Sequence, residues 1–68
     1  MTESQIGEYI ELININLNKI RKNVNQIEPG GGNLERYDVI CNILECTQRT
    51  IETMAQNEYM EEFKKKNK

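Results

Sequence analysis

The sequence predicts an all-α protein: an antiparallel, coiled-coil-like hairpin of two helices, which we expect to dimerise into a four-helix bundle. Apolar residues recur at alternating steps of three and four in each half of the 68-residue chain, which is the spacing of a coiled-coil seam. Residues 29–32, Pro-Gly-Gly-Gly, separate the two halves and disfavour both helix and strand. Folding the chain back at this stretch brings the two apolar stripes into register.

The first helix is expected over about residues 3–27 of a single domain that spans 1–68. Thr2 followed by Gln5 is typical of a capping box, and Glu3 places a negative charge in the first turn. The apolar stripe of this helix consists of Ile6, Ile10, Ile13, Leu17, Ile20, Val24 and Ile27.

The turn is expected over residues 28–33, with Asn33 as the N-cap of the second helix. That helix is expected over about 34–63, followed by a basic tail over 64–68. Its stripe consists of Tyr37, Ile40, Leu44, Thr47, Ile51 and Met54. We expect Ile20 to face Leu44 across the seam, and the Thr47 hydroxyl to bond back to a carbonyl one turn earlier.

Some apolar residues lie outside this seam and suggest further contacts. Val39, Ile43 and Cys46 form a second stripe on helix 2, and a helix with two apolar faces usually packs against two neighbours. Because 68 residues are close to the lower limit for independent folding, we interpret this stripe as the self-association face of a homodimer. Docking on a different protein is the alternative.

Two further sets are candidates for binding an unidentified protein partner. An outward-facing set on helix 1 consists of Tyr9, Leu12 and Ile15. A second set lies where helix 2 is expected to extend beyond helix 1, and it consists of Tyr59, Met60 and Phe63. Aromatic residues often contribute much of the binding energy of an interface.

The composition argues against catalysis, a metal and a cofactor. The chain has no histidine, so it lacks the usual general base near neutral pH. Cys41 and Cys46 are five residues apart on one helix, so their side chains diverge by about 140° and we expect two reduced thiols. No apolar run is long enough for a membrane span and the N-terminus lacks a signal-peptide pattern, so we expect a soluble cytoplasmic protein.

A nucleic-acid-binding hairpin is an alternative to protein binding. Arg21, Lys22, Arg36, Arg49 and the C-terminal lysines could contact phosphates, but the net charge of −2 and the pI near 5.1 argue against it. A small antiparallel four-helix bundle resembles, in architecture alone, the RNA-complex regulator Rop. A purely structural oligomerisation module is a further alternative.

The sequence therefore predicts a small non-enzymatic regulator, inhibitor or adaptor that acts by binding another protein. Ile, Asn and Lys are abundant at the expense of Ala and Pro, a composition that is typical of AT-rich genomes and fits a bacterial or phage source.

Overall fold

A computed structural model describes residues 1–66 of the chain, and within that range the chain forms two helices. Helix α1 runs Glu3–Val24 and helix α2 runs Leu34–Lys66. The two pack along each other, which confirms the predicted all-α hairpin. The structure measures 60 × 19 × 12 Å and has a radius of gyration of 16.7 Å, whereas a compact domain of this length would have roughly 11 Å. The hairpin is therefore a thin rod.

The start of α1 has the predicted capping box. The backbone N–H of Gln5 donates to Thr2 Oγ1 at 3.2 Å, and the backbone N–H of Thr2 donates to Gln5 Oε1 at 3.0 Å. These two bonds satisfy backbone donors that have no partner within the helix. The local sequence thus fixes where α1 begins.

Helix α1 ends at Val24, one turn earlier than predicted. After Val24 the backbone hydrogen bonds link residues three apart instead of four. The N–H of Gln26 donates to the Asn23 carbonyl at 3.1 Å, and the N–H of Ile27 donates to the Val24 carbonyl at 3.2 Å. Such tightening is common in the last turn of a helix. Ile27 therefore belongs to the turn rather than to the stripe of α1.

The turn is closed by Asn33, which pairs with the backbone of Glu28. The Glu28 N–H donates to Asn33 Oδ1 at 2.9 Å, and Asn33 Nδ2 donates to the Glu28 carbonyl at 2.7 Å. Between them Gly30, Gly31 and Gly32 all adopt positive φ, a conformation that other residues rarely reach. The Asn33 carbonyl accepts from Tyr37 N–H at 2.9 Å, so the residue begins α2 as predicted, but its side chain closes the loop.

The seam between the helices consists of the residues that are less exposed than their neighbours. On α1 these are Ile6, Tyr9, Ile13, Asn16, Ile20 and Asn23, and on α2 they are Arg36, Ile40, Ile43, Thr47, Thr50 and Met54. Thr47 is only 7% exposed, and its hydroxyl donates to the Ile43 carbonyl at 2.9 Å as predicted. No large hydrophobic residue is fully buried anywhere in residues 1–66.

Polar contacts near both ends of the hairpin show the register of the helices. Near the free end, Asn57 Nδ2 donates to Tyr9 Oη at 3.4 Å. Near the turn, one Arg36 guanidinium nitrogen, Nη1, donates to Asn23 Oδ1 at 3.3 Å and to Gln26 Oε1 at 2.7 Å. Between these two contacts the antiparallel register places Asn16 about level with Thr47.

In the structure each helix is rotated about its own axis relative to the predicted packing, so the observed seam contains partly different residues. The rows that start at Ile6 and Ile40 lie in the seam as predicted. The other predicted row on each helix, which includes Leu17 and Leu44, is nearly half exposed. Neighbouring residues replace those rows in the seam. A single partner helix covers only a narrow stripe, and the apolar sector of each helix is wider than that stripe.

We predict that Asn33→Ala lowers the free energy of unfolding by about 1–3 kcal/mol, because both Glu28 backbone groups lose their partner. The measurement is urea unfolding followed by circular dichroism at fixed protein concentration. Asn42→Ala, at an exposed position on α2, is the control and should be neutral or slightly stabilising, since Ala is the better helix former. Equal stability of the Asn33 variant and the wild type would contradict this account of the turn.

Candidate interaction surfaces

The seam divides the surface of the hairpin into two sides. A residue that directly follows a seam residue is rotated by about 100° around its helix axis. The two helices run in opposite directions and face each other. The residues that come directly after seam residues in the sequence therefore lie on the same side of the hairpin in both helices, which we call the front side. The residues that directly precede seam residues lie on the other side, the reverse side.

The front side carries almost no charge. Its large apolar residues form what we call the open face: Ile10, Leu17, Val24, Tyr37, Leu44 and Ile51. Each of the six is between 43% and 51% exposed. The remaining front-side residues are Gly7, Asn14, Arg21, Cys41, Gln48 and Ala55. Arg21 is thus the single charged residue among these twelve, and Glu3 and Glu58 continue their rows at the free end of the hairpin.

The reverse side is mixed. Its charged residues are Glu8, Lys19, Lys22, Glu35 and Arg49, and its apolar residues are Leu12, Ile15, Val39 and Cys46. Leu12 is 51% exposed and Ile15 is 44% exposed. These two residues flank an open concavity of about 360 Å³ that is also lined by Glu8 and Glu11. An apolar patch with a charged border is typical of a transient protein-binding surface.

Two residues assigned to outer surfaces from the sequence lie in the seam instead. Tyr9 is half-buried and its hydroxyl accepts from Asn57, so it does not form an outward set with Leu12 and Ile15. Ile43 is half-buried between the helices, so it is separated from Val39 and Cys46, which are exposed on the reverse side. Both corrections follow from the rotation of the helices described above.

The third set lies at the free end of α2. Tyr59 is 68% exposed, and Met60 and Phe63 are each 53% exposed. The amino group of Met1 forms an ion pair with Glu61, so Phe63 lies on the part of α2 that extends past α1. Tyr59 and Met60 border an open concavity of about 460 Å³ together with Ala55 and Gln56. The structure thus leaves all three large side chains uncovered.

The basic residues do not form one patch. Arg21 lies on the front side, Lys22 and Arg49 lie on the reverse side, and Arg36 donates to Asn23 and Gln26 at the turn. Of the predicted basic tail over 64–68, Lys64, Lys65 and Lys66 form the last turn of α2, away from these four residues, and residues 67–68 lie outside the described part of the chain. A surface that binds nucleic acid through its phosphates clusters its cations.

Cys41 and Cys46 are both free and exposed, on opposite sides of the hairpin. Within residues 1–66, no group of three potential metal ligands comes together, and neither helix has a stretch long and apolar enough to cross a bilayer. Comparison of the chain with protein-family models, curated proteins and solved structures produced no match in any of the three.

The open face is the surface that sequence reasoning missed. The heptad spacing predicts all six residues in the seam of the hairpin, because it places them beside the rows of Ile6 and Ile40. A usable signal was present, however. The positions that flank these six on the front side are small or uncharged except for Arg21, whereas the edge of a lone hairpin is usually charged.

We predict that Tyr9→Ala lowers the free energy of unfolding by about 1–3 kcal/mol, because it removes a half-buried aromatic side chain from the seam. Ile15→Ala removes an exposed side chain from the same helix and should change the free energy of unfolding by less than about 0.5 kcal/mol. Thermal unfolding by circular dichroism compares the two variants. A larger loss for the Ile15 variant would place Ile15, and not Tyr9, in the structural seam.

Proposed function

We propose that the chain is a small non-enzymatic protein that acts by binding another protein, as a regulator, inhibitor or adaptor. One observation carries the proposal: no large hydrophobic side chain in residues 1–66 is fully buried, and fourteen are well exposed. Soluble proteins rarely leave such surfaces uncovered unless they bind something. A front side with almost no charge and a mixed reverse side offer distinct surfaces for distinct partners.

For the foreign partner we favour the end of α2, with Tyr59, Met60 and Phe63. Aromatic and methionine side chains are enriched in the cores of protein interfaces. Tyr and Phe offer large contact areas at a low cost in conformational entropy, and Met adapts its shape to the partner. A groove on the partner that accepts one face of a helix would suit this segment.

Leu12 and Ile15 on the reverse side form the second proposed contact. Met60 directly follows Tyr59 and lies on the same side of the hairpin as Leu12, by the same helical spacing that places Val39 and Cys46 there. A partner that grips the end of α2 could therefore extend along the reverse side. Glu8, between Leu12 and the start of α1, would favour a basic residue at the edge of such a partner.

The test is a binding experiment with a partner isolated from the native host and then purified. Wild-type protein, the double variant Tyr59→Ala/Phe63→Ala and the control Glu45→Ala are titrated against that partner by calorimetry. We expect the double variant to weaken binding at least tenfold, since hot-spot truncations cost more than about 1.4 kcal/mol. The control removes an exposed charge from the middle of α2 and should bind within twofold of the wild type.

Two outcomes contradict the proposal. One is equal affinity of the double variant and the wild type for the partner. The other is that the wild-type protein retains RNA or DNA instead of a protein, with an affinity that falls steeply as salt rises. The second outcome would favour the nucleic-acid-binding alternative.

A further inference from the structure

We propose that the open face binds a second copy of this chain. The two hairpins pack front side to front side, with their turns at opposite ends of a four-helix bundle. The two-fold axis is perpendicular to the helices and passes near Leu17 and Leu44. This inference does not depend on the foreign partner, whose proposed surfaces are the reverse side and the end of α2.

The orientation of the helices is the first argument. In a four-helix bundle the apolar sector of each helix points diagonally, toward the bundle axis, and each helix contacts two neighbours. In this hairpin the rows of Ile6 and Ile40 face the partner helix, while the rows of Leu17 and Leu44 turn to the front side. The apolar sector of each helix is therefore centred on a direction midway between the neighbouring helix and the front side. A second hairpin placed on the front side would complete the core.

The exposed area is the second argument. The hairpin has an accessible surface of 5863 Å². A compact monomer of 8.0 kDa would have roughly 4,400 Å². The excess of about 1,400 Å² per chain exceeds the ~800 Å² per partner that a stable interface of standard size buries. A second copy on the open face would cover the six large apolar residues of that face.

The symmetry of the open face is the third argument. Its residues form three layers, seven residues apart on each helix, and Leu17 lies within about 3 Å of the level of Leu44 along the axes. A two-fold axis at this level brings the four leucines of two copies together. It also stacks Ile10 and Ile51 on Val24 and Tyr37 of the second copy, at both ends of the core. The face is thus complementary to itself.

Charge at the ends of the open face selects the relative orientation of the copies. With the turns at opposite ends, α1 of one copy lies antiparallel to α1 of the other, and Glu11 approaches Arg21 of the second copy twice in the dimer. The same arrangement sets the acidic row Asp38, Glu45 and Glu52 of α2 beside that row of the second copy, whereas turns at the same end would bring Glu11 to Glu52 and Arg21 to Asp38 of the second copy. The difference lies at the ends of the open-face rows. With the turns at the same end, Glu3 of one copy would face Glu58 of the other twice in the dimer, and with the turns at opposite ends both residues face the glycine turn instead. Like charges at an interface oppose association.

The first test is the mass in solution, by light scattering and sedimentation equilibrium, of the wild type and two matched variants. Leu17 and Leu12 lie on the same helix at 47% and 51% exposure, on opposite sides of the hairpin. We expect a wild-type dimer, at least a hundredfold weaker dimer for Leu17→Asp, and a change of less than threefold for Leu12→Asp. A monomeric wild type overturns the proposal, and so does a dimer that Leu12→Asp breaks and Leu17→Asp leaves intact.

The two native cysteines provide a test that needs no destabilising substitution. Cys41 follows Ile40 and lies on the front side, whereas Cys46 precedes Thr47 and lies on the reverse side. When a thiol reagent is applied to the wild-type protein, Cys41 should react at least tenfold more slowly as concentration rises through the dimer range. Cys46 should not change. Protection of Cys46 with Cys41 unchanged would overturn the proposal.

Glu11→Arg tests the orientation of the copies. If the turns lie at opposite ends, the new arginine meets Arg21 of the second copy and the dimer weakens by about twofold to thirtyfold at low salt. Combining Glu11→Arg with Arg21→Glu should restore the wild-type affinity. If the turns lie at the same end, Glu11→Arg meets Glu52 and the dimer tightens, which would overturn the proposed orientation.

Discussion

The rest of the structure depends on one geometric constraint: two helices that lie side by side share a single narrow seam. Each helix of this chain has an apolar sector wider than one such seam. The hairpin therefore covers one edge of each sector and leaves the other edge, the open face, on the surface. The thin 60 × 19 × 12 Å shape and the absence of a fully buried hydrophobic residue in residues 1–66 are both consequences of this constraint.

The turn determines how the two sectors meet. Three successive glycines with positive φ reverse the chain, and Asn33 ties the two ends of the reversal through both backbone groups of Glu28. Arg36 adds a polar link to the last turn of α1. These contacts hold the helices antiparallel at one end. Along the remaining length the seam includes the polar residues Asn16 and Thr50 beside its apolar ones.

Much of the fold follows from the sequence, because it rests on local chemistry. The capping box of Thr2 and Gln5, the reversal at the glycines and the back-bonded hydroxyl of Thr47 each depend on residues within one turn. The rotation of the helices could not be predicted in the same way. Heptad spacing defines the direction of the apolar sector, but it does not say whether one neighbour or two will fill that sector.

Because the rotation of the helices could not be predicted, the candidate surfaces were only partly predictable from the sequence. Leu12, Tyr59, Met60 and Phe63 are exposed in the structure, and their role as binding residues stays a prediction. Tyr9 and Ile43 lie in the seam and not on the predicted outer surfaces, because each helix is rotated relative to the prediction. The side chain of Asn33 was also misjudged. The N-cap preference of asparagine predicts a bond from its side chain to the helix that follows. In the structure the side chain of Asn33 instead bonds the N–H and the carbonyl of Glu28 in the loop that precedes it.

A hairpin whose open face needs a second copy to cover it should not be stable on its own. The thermal unfolding midpoint of the wild-type protein, followed by circular dichroism from about 1 to 500 μM, tests this dependence. If folding and self-association are coupled, mass action raises the midpoint steadily with concentration. A fully helical protein whose midpoint is the same at every concentration would contradict the claim.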